Sequence, residues 1–104
     1  MLGLNPADGP LILLLLSYNW SSRDDDKDVE TAARKLIADI DKKTKEMGVW
    51  NRFKYLNYAA AWQEQDVFEG YGEENLAFLR DVGERYDKVG LWRERCPGGF
   101  KVFR

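Results

Sequence analysis

Residues 53–60 read FKYLNYAA and set two phenols and a carboxamide, Tyr55, Asn57 and Tyr58, inside a short apolar stretch. A carboxamide presents donors and an acceptor in one plane. A buried Asn57 must therefore be matched by backbone, by water or by the edge of a flat polar ligand. On an extended backbone Tyr55 lies on the same side as Asn57. A second reading of the same residues is that Asn57 satisfies a loop backbone while the tyrosines belong to the core. The chain has no His, which removes imidazole acids, bases and ligands. Its single Cys96 can form neither an internal disulfide nor a Cys/His metal site, and no metal is expected. Chemistry falls to Tyr, carboxylates, Lys or a cofactor.

These residues sit in a chain of 104 residues, the length of one small domain, here taken as residues 1–104. A formal charge of −2 with no basic cluster on a predicted face argues against nucleic acid as a partner. The run Leu11–Trp20 is too short to span a bilayer, which takes about 20 apolar residues. The opening carries Asp8 but lacks the basic start of a secretory signal. The expected setting is intracellular, cytoplasmic, with no membrane contact.

The elements that must position the chemistry follow from periodicity. After the turn residues NPADGP, Leu11–Trp20 reads as a buried strand with apolar residues on both faces. Val29, Ala32, Ala33, Leu36, Ile37, Ile40 and Met47 recur at helical spacing. Asp24, Asp25, Asp26 and Asp28 suit that helix's start, Lys42, Lys43 and Lys45 its end, and Gly48 its stop. The acidic run lacks the ligand spacing of a calcium loop. Arg52–Tyr58 reads as extended and the stretch to Gly72 as a long ordered loop. A second helix is predicted from Glu73 to Tyr86, with Leu76, Leu79, Val82 and Tyr86 inward. The tail gives a short strand-like piece, a Pro97-Gly98-Gly99 turn and an alternating FKVF. The inventory predicts an α+β fold: a small antiparallel sheet with two amphipathic helices packed on one face. The sheet's other face, with Leu11, Leu13 and Leu15, then needs cover from a second copy, another polypeptide or an apolar ligand.

Several motifs stand in order: Tyr55-x-Asn57-Tyr58, an aromatic and Gly-rich stretch, Tyr71-Gly72-x-x-Asn75, and Tyr86-Asp87. With them the chain resembles the C-terminal part of berberine bridge enzyme-like FAD-linked oxidases, which share the vanillyl-alcohol oxidase fold, and in particular the fungal branch. It departs from that pattern at Lys88, where Pro is usual, and at Trp92, where Phe is usual. The resemblance implies that Tyr55, Asn57 and Tyr58 lie beside the flavin and the substrate, with Asn57 and Tyr55 as cofactor-side residues. It implies Tyr55 and Tyr58 as candidate catalytic bases. Ser17 and Asn19 become candidate cavity lining, or else solvated residues at a strand end. The large FAD pyrophosphate-binding domain of such oxidases is missing, so the chain alone is expected to hold no FAD.

Two functions from different classes remain open at this level. The chain is a flavin-side or substrate-side module of an FAD-dependent oxidoreductase, completed by a flavin-domain polypeptide. Or it is a standalone, cofactor-free homodimer whose pocket, lined by Trp50, Tyr55, Tyr58, Trp62 and Phe68, binds or cyclises a small hydrophobic metabolite. A remnant with only a folding or interaction role is the third, blander reading.

Overall fold

The computed structural model describes residues 2–96 and 98–103; Pro97 of the expected Pro-Gly-Gly turn lies outside them. In chain order the elements are single 3-10 turns at Pro6–Asp8 and Arg23–Asp25, helix α1 at Asp26–Glu46, a 3-10 turn at Ala61–Gln63, α2 at Glu64–Glu69, α3 at Glu73–Tyr86 and a π-type turn at Leu91–Arg95. Helix of all kinds makes up 54% of the structure, and the described residues contain no strand. The expected α+β fold with an antiparallel sheet is therefore wrong. A strand exists only when its backbone groups meet those of a second strand, and the described residues hold no second strand. Residues 55–58 close into a turn, 91–95 coil, and among the described residues no backbone–backbone hydrogen bond reaches residues 10–20.

The chain divides into two compact units, residues 14–51 and residues 1–13 with 52–104. In the first unit, α1 forms where the apolar period predicted it. Asp26 and Asp28 lie in its first turn and Lys43 and Lys45 in its last, each favoured by the helix dipole. Gly48, at φ +69°, ends it with its N–H donating to the Lys45 carbonyl at 3.1 Å. The exposed pairs Glu30–Arg34 and Lys35–Asp39 link successive turns, and solvent screening keeps their contribution small. Of the apolar stripe only Ala33 is buried; Leu36 and Met47 are exposed. The Trp20 indole N–H donates to the Asp26 carboxylate and ties the end of the apolar run to the helix start.

The second unit holds its core between α2 and α3. Val67 is fully buried and Tyr71 nearly so. The Phe53 ring stacks on Tyr71 at 6.0 Å, and Phe68 meets Tyr71 edge-on at 5.8 Å. Helix α3 spans the predicted residues, with Leu76, Leu79 and Val82 half-buried, but Tyr86 points out and is 80% exposed. Gly83, which weakens a helix on propensity, lets the Phe103 ring close on α3; a Cβ there would stand 2.5 Å from the ring. Past the helix end the Asp87 carboxylate accepts the backbone N–H groups of Leu91, Trp92 and Arg93 at 2.7–3.3 Å. A charged acceptor for several amides is a strong local clamp, and it shapes the 91–95 turn.

Candidate functional site

Tyr55, Asn57 and Tyr58 come together by turning, not by extension. The N–H groups of Tyr58 and Ala59 both donate to the Tyr55 carbonyl, at 2.9 and 3.1 Å. That turn swings Asn57 back, so its amide Nδ2 donates to the Tyr55 hydroxyl oxygen at 2.9 Å. The Tyr58 ring packs edge-on to Tyr55 with centroids 4.9 Å apart. All three side chains are exposed. Asn57 is thus not a buried amide in need of a ligand; its donor fixes a phenol oxygen at the surface. The resulting corner offers two phenols and an amide acceptor to whatever docks on it.

The other expected site residues are dispersed. Ser17 and Asn19 are exposed in the unit of residues 14–51. Trp50, of the same unit, lies under the Lys45 ammonium at 4.5 Å, a cation–π contact. Trp62 is half-buried, in the 3-10 turn whose Gln63 side chain accepts the Ala60 N–H. Phe68 leans on Tyr71 in the core and also lines a cleft of about 150 Å³ with Glu64, Glu69, Leu76, Arg80, Lys101 and Val102. Residues 59–72 were expected as loop, and the 3-10 turn and α2 within them were missed. So were Glu64, Arg80 and Lys101 at the cleft. There the Lys101 N–H donates to Glu64 at 3.3 Å and the Arg80 Nε to the Val102 carbonyl at 3.2 Å. Among the described residues no group of His, Cys, Asp and Glu could hold a metal ion.

The motif Tyr71-Gly72-x-x-Asn75 has a structural role in this chain. Gly72 begins α3 at φ +88°, a conformation that favours glycine, and a Cβ would come within 2.6 Å of the Arg52 guanidinium. The Asn75 amide donates to the Tyr71 carbonyl at 2.9 Å. Burial pushes the Tyr71 phenol above its ordinary 10.0. In the unfolded chain the same phenol loses its proton at lower pH, so raising the pH above about 10 favours unfolding until the folded value is passed. Thermal unfolding between pH 8 and pH 11 is expected to show a loss of stability at the alkaline end. Tyr71→Phe should remove that part of the loss; an unchanged alkaline slope in the variant would refute the assignment.

The chain is 37% identical over 102 residues to the FAD-dependent monooxygenase tpcD of Cochliobolus heterostrophus, covering 98% of this chain and 19% of the relative. It is 36% identical to the FAD-dependent monooxygenase FUP4 of Fusarium proliferatum over the same shares. The chain is related to fungal FAD-dependent monooxygenases. It spans about a fifth of the length of these relatives. A 101-residue match at 37% identity also lies in the oligopeptidase PhomG′ of Diaporthe leptostromiformis, covering 97% of this chain and 8% of that protein. No family model and no solved structure matches.

The relation to FAD-dependent monooxygenases poses a test of fit for FAD. The cleft is smaller than the roughly 300–1,000 Å³ that a drug-sized ligand fills, and FAD is larger still. Glu64 and Glu69 on its wall are balanced by Arg80 and Lys101, so the lining offers a diphosphate no net positive charge. The cleft does not suit the whole cofactor. Tyr55, Asn57 and Tyr58 form no enclosed cavity among the described residues; they stand exposed at the surface. Among the described residues no helix is long and apolar enough to cross a membrane.

Proposed function

We propose that this chain is a flavin-side or substrate-side module of an FAD-dependent oxidoreductase of the berberine bridge enzyme-like group, completed by a polypeptide that carries the FAD. The observation that carries the reading is the end-to-end match of the chain to one fifth of FAD-dependent monooxygenases. The exposed corner of Tyr55, Asn57 and Tyr58 supports it, because an amide-fixed phenol beside a second phenol is suited to the polar edge of a flavin or substrate. The FAD supplies the redox step, and the module supplies position and a proton acceptor. Ser17, Asn19, Trp50, Trp62 and Phe68 are proposed to line the substrate side only once that partner is present.

Co-expression with the remaining part of the Cochliobolus heterostrophus relative tests the proposal. A yellow complex of one copy of each, with a flavin absorbance band that survives gel filtration, is the expected result. Separate elution of the two polypeptides defeats it. A colourless homodimer with saturable binding of an apolar ligand would establish the cofactor-free alternative instead.

A further inference from the structure

We propose that residues 100–103 are a hinged strap, which opens and closes over the cleft between α2 and α3. The whole device lies within the unit of residues 1–13 and 52–104. Lys101 and Val102 supply one side of that cleft, while Glu64, Phe68 and Glu69 of α2 and Leu76 and Arg80 of α3 supply the rest. Lifting the strap removes a wall. The enclosed space of about 150 Å³ then becomes an open groove with Phe68 and Leu76 uncovered, and it admits a molecule too large for the closed form. The hinge is the pair Gly98 and Gly99, which hold φ of +84° and +65°, and a Cβ on either would meet no atom within 4 Å. Glycine takes such angles without strain, so the chain can change direction there without collision.

Polar latches hold the strap closed on its neighbours. The Lys101 N–H donates to the Glu64 carboxylate on α2 at 3.3 Å, and the Val102 carbonyl accepts from the Arg80 Nε on α3 at 3.2 Å. The Lys101 ammonium donates to the Trp92 carbonyl of the 91–95 turn at 3.2 Å. A ring completes the closure, since Phe103 seats on α3 at Gly83 and the Arg93 guanidinium lies 5.3 Å from its centroid. Residues 100–103 are all half-buried, in contrast to Val67 and Tyr71 between the helices. Hydrogen bonds open to water contribute little net stability. A segment held by such bonds rather than by buried apolar side chains opens locally while the fold beneath it stays intact. The seat itself is made at the helix's expense, because a glycine inside α3 is a poor helix former.

The test is amide hydrogen exchange of the whole chain, followed by NMR in urea concentrations below the unfolding transition. In the parent, the Lys101 amide should exchange at a rate nearly independent of urea, as a local opening does, whereas Leu79 and Val82 of α3 should exchange faster as urea rises. Gly83→Ala improves α3 on propensity and fills the seat of the Phe103 ring, where a Cβ would stand 2.5 Å from it. Lys101 is expected to exchange about tenfold or more faster in that variant, with Leu79 and Val82 protected at least as well as in the parent. Phe103→Ala empties the same seat and should speed Lys101 to a similar extent. The Leu91 amide, held by Asp87 rather than by the strap, should be unchanged in both. A Lys101 amide that shares the urea dependence of α3, or that accelerates together with Leu79 and Val82, makes residues 100–103 part of the core and overturns the strap. A Lys101 rate that stays at the parent value in either variant overturns it as well.

Discussion

Replacing Tyr71 by alanine is expected to lower the unfolding free energy of the unit formed by residues 1–13 and 52–104 by about 3–5 kcal/mol, the usual effect of deleting a buried aromatic ring. That is a large share of the roughly 5–15 kcal/mol that holds a small fold together. Tyr71 is 6% exposed and touches the rings of both Phe53 and Phe68. Its loss leaves Phe53 and Phe68 without their common partner and opens a cavity that α2, six residues long, cannot collapse to fill. Tyr86→Ala, on the next helix, removes an 80% exposed ring and should shift stability by no more than about 0.5 kcal/mol. Urea unfolding of the two variants beside the parent decides the matter. Equal effects would mean that the aromatic cluster is not the core of this unit.

The contrast between those two tyrosines shows where the sequence was legible. Both stand in motifs, and Tyr86 continues the apolar period of α3. Periodicity set the bounds of α1 and α3 because helix bonds are local, and charge and Gly48 marked the ends of α1. It could not tell that the last residue of a stripe outruns the surface it faces. The sheet was misread for a related reason. Apolar continuity in Leu11–Trp20 reports an ability to pair, but pairing is decided by a second strand, and the segments assigned to that role became turns. Helix α2 escaped notice because EQDVFE offers only Val67 and Phe68, too few residues to show a period. Tyr55, Asn57 and Tyr58 emerged as a group from the sequence, whereas the way they meet depends on two backbone bonds to one carbonyl that composition does not encode. The order of the motifs pointed to FAD-linked oxidases, and the relatives bear out the FAD-dependent relation without fixing the berberine bridge enzyme-like group, although Tyr71, Gly72 and Asn75 serve the fold here.

In the complex proposed with a flavin-carrying polypeptide, Tyr55→Phe is expected to lower kcat by about 10²–10⁴-fold, the range for loss of a positioned acid or base. Of the two phenols, Tyr55 is the one whose oxygen is fixed, by the 2.9 Å bond from the Asn57 amide, while the edge of Tyr58 restrains its ring. A proton acceptor works only when its oxygen is held within hydrogen-bond reach of the reacting hydrogen. Tyr58→Phe keeps that ring contact and should therefore lose less. Asn57→Ala releases the Tyr55 oxygen without removing it, so its effect should lie between the two. A purely structural role for Tyr55 predicts something else, a loss of complex stability or of flavin content. The catalytic role predicts that kcat falls in Tyr55→Phe with flavin content and complex affinity unchanged. Because Tyr55 is 37% exposed in the free chain, its substitution by Phe leaves the fold intact, and the kinetic result is interpretable. Turnover within about twofold of the parent would assign Tyr55 to the surface and leave the proton to the flavin-carrying partner.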